Sequence, residues 1–180
     1  MKDIMKTRSL FSLLVLLAGA TPCLAQPEAA HVSRNAVFFE MLGNGGLYSF
    51  NYERMLNDSL GLRVGYASWS SPVFWEGSPP DQYVTLPVSV SYLLGRGDRK
   101  LELGGGITFG EGTLDRSSDL RRDFTFRSLT AIVGYRSQPP GRGYLFRVGA
   151  TPFYSLDDGE EAYPDPGWTF SVGVSFGYRF

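Results

Sequence analysis

From Trp168 to the last residue the chain alternates strictly. Trp168, Phe170, Val172, Val174, Phe176, Tyr178 and Phe180 are apolar, and Thr169, Ser171, Gly173, Ser175, Gly177 and Arg179 lie between them. A period of two puts the two sets on opposite faces of a strand. The run is about twice the usual five or six residues of a strand, and its apolar face is rich in aromatic rings. Such a strand fits a sheet with lipid on one side and a polar lumen on the other. The same alternation between turn signals predicts eight strands in all, near Asn35–Gly43, Gly46–Leu56, Leu60–Ser70, Tyr83–Leu94, Lys100–Phe109, Phe124–Arg136, Tyr144–Tyr154 and Gly167–Phe180. No segment has the periodicity of a long amphipathic helix. The fold class this implies is all-β: an eight-stranded antiparallel up-and-down transmembrane β-barrel.

The connections alternate in character. Asn57-Asp58-Ser59, Gly95–Arg99 and Ser137–Gly143 are short, whereas Ser71–Gln82, Gly110–Asp123 and Ser155–Pro166 are longer. Barrels of the outer membrane have short periplasmic turns and long extracellular loops. The first outer connection departs from this, because Asn44-Gly45 signals a two-residue hairpin. That turn pairs Leu42 with Leu47, Glu40 with Ser49 and Phe38 with Asn51 on one face. A three-residue turn at Asn57–Ser59 pairs Glu53 with Arg63 on the same, inner face. Both turns send Tyr52, Leu62, Val64 and Tyr66 outward.

Carried round, the outward set gathers Val84, Leu86, Val88, Val90, Leu101, Leu103, Ile107, Leu129, Val133, Phe146 and Val148. Outward Tyr52, Tyr92, Tyr135, Tyr144 and Tyr178 fall near the periplasmic ends and form one expected aromatic girdle. Phe39, Tyr48, Tyr66, Phe109 and Trp168 form the other. Two features strain the pattern. Pro87 lies within a strand and predicts a bulge or a missing ladder bond. Phe124 and Phe126 have the wrong parity relative to Leu129, Ala131 and Val133, which predicts either a bulge near Ser128 or a strand rising above the membrane.

The start of the chain adds a destination. Lys2, Lys6 and Arg8 precede a short apolar stretch from Leu10 to Ala20, and Cys23-Leu24-Ala25 offers a small-residue cleavage site. Residues 1–25 are therefore expected to be a Sec-type signal peptide, 26–34 a periplasmic tail and 35–180 the barrel. The stretch is too short to span a bilayer as a helix, which takes about 20 residues. Cys23 is the one cysteine of the chain, so the mature protein is expected to carry no disulfide and no thiol chemistry. The formal net charge is −1, with no basic stripe to suggest a nucleic-acid partner.

The inner face carries Glu40, Glu53, Arg63, Glu102, Arg136, Arg147 and Arg179, interleaved with glycines that leave room for long side chains. An eight-stranded barrel encloses a space that side chains nearly fill, and unpaired charges there are costly. These residues are expected to form an ion-pair network, with Glu53, Glu102, Arg63 and Arg147 together in the periplasmic half. The first reading is a plug; a gated path for ions or protons is the alternative.

The loops offer weaker candidates. Asp157-Asp158-Gly159-Glu160-Glu161 with Asp165 is acidic but lacks calcium-loop spacing, so no metal site or other cofactor is assigned. Asp115, Arg116, Asp119, Arg121, Arg122 and Asp123 form a mixed-charge loop, expected to be solvated. Trp69, Phe74 and Trp75 are candidate loop contacts for an extracellular ligand, and equally rings that lie against lipid or fold over the barrel mouth. Small outer-membrane barrels that modify lipid A use a catalytic histidine. The single histidine here, His31, falls in the expected periplasmic tail, away from an outer-leaflet site, so no catalytic residue is assigned and the chain is not read as an enzyme.

Several phrases carry a resemblance. They are Phe39-Glu40-Met41-Leu42-Gly43-Asn44-Gly45-Gly46, Leu60-Gly61-Leu62-Arg63-Val64-Gly65, Gly134-Tyr135-Arg136 and Phe146-Arg147-Val148-Gly149, with the C-terminal aromatic strand. With these the chain resembles the small eight-stranded outer-membrane β-barrel proteins of Gram-negative bacteria, over nearly all of its mature length. The ending Phe176, Tyr178, Phe180 looks like the signal read by the barrel-assembly machinery, although the usual glycine five residues before the final aromatic is Ser175. The resemblance implies an outer-membrane location among lipid and lipopolysaccharide, and a structural or surface-interaction role. A narrow conduit for ions or small apolar solutes and a lipid-modifying outer-membrane enzyme are the alternatives. A soluble lipocalin-like barrel is the rival fold, and it would need the two faces of the sheet exchanged.

Overall fold

The computed structural model describes residues 33–70, 82–115, 121–157 and 167–180. The expected signal peptide, His31, Phe74, Trp75 and most of the acidic loop lie outside the described residues. Eight antiparallel strands follow one another in chain order: β1 Asn35–Met41, β2 Tyr48–Met55, β3 Leu60–Ser70, β4 Gln82–Leu94, β5 Arg99–Asp115, β6 Arg121–Ser137, β7 Gly143–Ser155 and β8 Trp168–Arg179. Each pairs with its sequence neighbours, and β8 pairs with β1 to close the barrel. Closure leaves no sheet edge around the ring. The backbones of Asn35 and Phe180 complete the seam by exchanging hydrogen bonds of 3.2 and 2.8 Å.

Alternation decides the two faces. Glu40, Glu53, Arg63, Glu102, Arg136 and Arg147 are buried in the lumen. Leu62, Val90, Leu101, Leu103, Val133, Phe146, Phe170 and Phe176 stand exposed on the wall. Charges inside and rings outside is the arrangement of a lipid-facing barrel, the reverse of what a soluble one requires.

Three local expectations meet the structure differently. At Pro87, Val64 pairs with Val88 and Ala67 with Thr85, while the residues between them are unpaired across β3 and β4. The ladder is interrupted without a change of register, because proline has no N–H to give. Pro152 stands at a similar interruption, between the pairs Thr130–Phe153 and Val133–Ala150 of β6 and β7.

The parity problem at Phe124 and Phe126 has no bulge behind it. The β5–β6 register is unbroken from Arg99–Ser137 to Asp115–Arg121, and both strands run 17 residues against 7 for β1. The surroundings change instead of the register. Along the outer face of β6, Val133 and Leu129 give way to Arg127, Thr125 and Asp123. On β5, Phe109 gives way to Glu111. Inside, the charges and hydroxyls give way to Phe126, which is buried, and Phe124. Above this level the ribbon is polar outside and apolar inside, as for a wall standing in water. Most of the proposed mixed-charge loop is therefore strand, and Thr113 donates to Asp123 Oδ1 at 2.9 Å.

The first outer connection is the third difference. The register set by Asn44-Gly45 holds, with Glu40 opposite Ser49, but the chain leaves the ladder after Met41 and rejoins it at Tyr48. Leu42 takes a positive φ of 55°, and Leu42 N–H bonds the Leu47 carbonyl at 3.0 Å. The segment 42–47 folds inward over the lumen. Leu42 and Leu47, inward by simple alternation, are 49% and 38% exposed, whereas Asn44 is buried.

Candidate functional site

Six charged side chains cross the lumen in alternating sign. Arg63 Nη2 pairs with Glu40 Oε2. Glu40 Oε1 lies 4.0 Å from Arg147 Nη1. Arg147 grips Glu102 with two hydrogen bonds, Nε at 2.8 Å and Nη2 at 2.6 Å. Glu102 lies 4.0 Å from Arg136, and Arg136 holds Glu53 with both terminal nitrogens, Nη1 at 2.8 Å. The sequence is Arg63, Glu40, Arg147, Glu102, Arg136, Glu53: three carboxylates and three guanidiniums with no net charge. Paired Arg–carboxylate forks are the strong form of such contacts. Their burial makes sense only with this balance, since a lone ion in the lumen would carry an uncompensated desolvation cost.

Neutral side chains finish the coordination. Arg63 Nε donates to Asn51 Oδ1 at 3.0 Å, Ser175 donates to Glu40 Oε1 at 3.2 Å, and Arg136 Nε donates to Gln138 Oε1 at 2.6 Å. The Phe38 ring sits between two guanidiniums, 5.2 Å from Arg63 Cζ and 4.9 Å from Arg147 Cζ, a geometry that favours cation–π attraction. Glycines make the space. A Cβ at Gly65 would overlap Asn51 and Pro87, and one at Gly43 would overlap the Glu40 carboxylate.

The structure brings together six of the seven expected network residues, in pairings that differ from the wall register. Glu53 and Arg63 are cross-strand neighbours, yet Arg63 turns to Glu40 and Glu53 to Arg136 on the far side. The network also climbs past the periplasmic half to Glu40 near the top of β1. Arg179 stands apart. Its Nε donates to the Ser33 carbonyl at 2.6 Å and its Nη1 to the Pro139 carbonyl at 2.9 Å, and among the described residues it pairs with no carboxylate. Phe38 and Gln138 were not singled out. Inward parity pointed to Phe38, but Gln138 lies beyond the end of β6, where parity says nothing.

Above the network, the inturned segment 42–47 is pinned from the wall. Thr85 donates to the Gly45 carbonyl at 2.7 Å, Thr108 to the Asn44 carbonyl at 3.0 Å, and the Trp69 indole to the Gly45 carbonyl at 3.3 Å. Trp69 thus belongs to the end of β3, not to a free loop, and it stacks on Tyr83 with 4.5 Å between ring centroids. Of the acidic loop, Asp157 accepts from the backbone N–H and guanidinium of Arg127, at 2.5 and 3.1 Å. On the outer face, Tyr92, Tyr135, Tyr144 and Tyr178 are exposed near the turn ends. Tyr52, half-buried there, bonds Asn35 Oδ1 at 2.8 Å. Tyr144 and Tyr178 meet edge to face at 5.7 Å. Phe176, Tyr178 and Phe180 all point outward and are exposed.

No protein-family model matches the chain, and no curated protein matches it in sequence. Solved structures do match in shape. The N-terminal β-barrel domain of Pseudomonas aeruginosa OprF aligns with a TM-score of 0.60 at 16% identity, over 82% of this chain and 99% of that one. Neisserial surface protein A, NspA, aligns with a TM-score of 0.51 at 16% identity, over 82% of this chain and 92% of that one. At this identity the likeness concerns architecture. By fold, the chain is an eight-stranded β-barrel of the outer-membrane kind, with charged residues buried in its lumen.

Proposed function

We propose that this chain is a sealed barrel anchored in the outer membrane, serving a structural or surface-interaction role and not as a conduit. The observation that carries the reading is the neutral chain of six alternating charges across the lumen, roofed by the pinned segment 42–47. Each of the three lumen carboxylates, Glu40, Glu53 and Glu102, has a guanidinium partner, so a passing ion would have to break a buried fork to enter. The apolar wall and its tyrosines support residence among lipid and lipopolysaccharide. The aromatic ending Phe176, Tyr178 and Phe180 supports delivery by the barrel-assembly machinery. The long outer connections are the surfaces offered to an extracellular ligand or envelope partner.

Single-channel recording in planar bilayers tests the seal. Wild-type protein is expected to show no discrete conductance, and Arg63→Ala, which leaves Glu40 with Arg147 as its remaining cationic neighbour, is expected to open brief events. Steady conductance by wild type would replace the plug with a path. Membrane fractionation with heat-modifiable gel mobility tests the location, and a soluble periplasmic protein without a mobility shift would end the reading.

A further inference from the structure

The short-turn end of the barrel is basic. Arg34, Arg54, Arg96, Arg99 and Arg142 are exposed there. Against them stand Asp58, Asp98 and the α-carboxylate of Phe180. The chain as a whole is formally −1, so the excess of cations belongs to this end and not to the composition. In the lumen each guanidinium has its carboxylate, but among the described residues none of these five pairs with one. Three of them have a fixed relation to the tyrosine girdle. Arg54 follows Tyr52 by two residues on the outer face of β2, opposite Leu62. Arg99 pairs with Ser137 on the outer wall, one outward pair beyond Leu101–Tyr135. Two residues of strand put Arg54 and Arg99 about 7 Å past the level of those tyrosines. Arg142 precedes the exposed Tyr144 by two residues, in the turn before β7. The Gln138 N–H donates to the Asp98 carbonyl at 2.8 Å, which ties the turn of Arg96 to that of Arg142.

We propose that this rim binds the headgroups of anionic phospholipids in the periplasmic leaflet. The inference rests on residence of the barrel in the outer membrane, and it adds the lipid class that the lower rim selects. Interfacial tyrosines mark the headgroup level, so guanidiniums one step beyond them meet the phosphates. Arginine's planar fork matches phosphate oxygens with two hydrogen bonds, and its long stem lets the charged head leave the apolar wall. The outward placement of Arg54 and Arg99 favours lipid over a soluble acidic polymer, which would approach the mouth of the barrel. At the mouth the cations are already engaged: Lys100 donates to the Asp58 carbonyl at 3.4 Å, and Arg179 to the carbonyls of Ser33 and Pro139. One basic residue near an anionic surface raises attraction about fivefold, and a single headgroup spans one or two such residues.

The full-length mature chain is refolded into phosphatidylcholine vesicles, and heat-modifiable mobility confirms insertion. A trace of spin-labelled phosphatidylglycerol or spin-labelled phosphatidylcholine is then added. The motionally restricted part of the spin-label spectrum reports lipid held at the barrel wall. Phosphatidylglycerol is expected to be favoured about fivefold, with the preference shrinking at high salt. Arg54→Gln, Arg96→Gln, Arg99→Gln and Arg142→Gln together should bring the ratio close to one, and Arg127→Gln, at the opposite end, should leave it unchanged. If the fourfold variant fails to insert, Arg54→Gln and Arg99→Gln carry the test singly, each expected to lower the ratio. Inserted wild type without a preference would overturn the proposal and leave the outer-membrane reading intact, whereas failure of wild type to insert would end both. A preference kept in full by the variants would also overturn it. Binding of soluble poly-glutamate to inserted wild type, without a lipid preference, would reassign the rim to an acidic periplasmic polymer.

Discussion

Replacing Arg136 by methionine removes the cation that holds Glu53 with two hydrogen bonds and leaves that carboxylate fully buried. The remaining members stay paired: Arg147 keeps its fork on Glu102 and Arg63 keeps Glu40. The lumen changes from three anions and three cations to three and two. Breaking a buried ion pair from one side costs about 3–5 kcal/mol, chiefly because the other charge is left uncompensated. Glu53→Gln together with Arg136→Met removes both charges. It is expected to recover most of that loss, since exchanging a whole buried pair for neutral groups is often close to neutral. Arg127→Ala is the control. Its pair with Asp157 is 3.1 Å long but has side chains 59% and 28% exposed, and an exposed pair is worth about 0.2–1 kcal/mol. Urea unfolding of protein in lipid vesicles, followed by gel mobility without heating, measures all four proteins. If Arg136→Met costs no more than Arg127→Ala, the lumen is hydrated and the argument from burial fails. If the double variant is as unstable as the single one, Arg136 acts through packing and not through charge.

Three further outcomes follow from the geometry. Thr85→Val combined with Thr108→Val removes two hydrogen bonds to the carbonyls of segment 42–47, each worth about 1 kcal/mol. Hydrogen exchange at Gly46 N–H should quicken by about tenfold or more while Glu40 N–H keeps its protection, and unchanged exchange would show that the segment is not held from the wall. Gly65→Ala forces a methyl group against Asn51 and Pro87 and should cost about 1–3 kcal/mol in the same unfolding assay; a neutral result would mean that Pro87 yields. Phe180→Ala, which keeps the two backbone bonds to Asn35, should lower the fraction of heat-modifiable, membrane-inserted protein made in cells while leaving the stability of refolded barrel nearly unchanged. Normal insertion would remove the assembly role of the aromatic ending.

Strand positions were readable because a half-lipid, half-lumen strand writes its faces directly into the sequence. Turn chemistry at Asn44-Gly45 and Asn57–Ser59 then fixed which face was which, and the observed neighbours Glu40–Ser49 and Glu53–Arg63 follow from it. The charged lumen was readable for the same reason. Who pairs with whom was not. A guanidinium reaches across a narrow lumen to strands far away in order, so Glu53 on β2 finds Arg136 on β6 and not Arg63 beside it. The inward fold of segment 42–47 was also hidden, because its partners Thr85 and Thr108 lie on β4 and β5 and look like ordinary inward hydroxyls. Phe124 and Phe126 misled for another reason: alternation reports the surroundings of each face, and those change partway up the strand while the register does not.

That change has a consequence for how the protein floats. Phe109 and Arg127 are direct cross-strand neighbours on the outer wall, so the last ring that suits lipid and the first charge that avoids it stand at one height. Sinking the barrel would carry Arg127 toward the hydrocarbon, at up to about 2–4 kcal/mol for an arginine at the midplane. Raising it would lift Phe109 and the neighbouring rings into water. The two residues act as a waterline, drawn at this point of the wall by the β5–β6 register. Loops can then lengthen, shorten or change partner while the draught of the barrel stays constant.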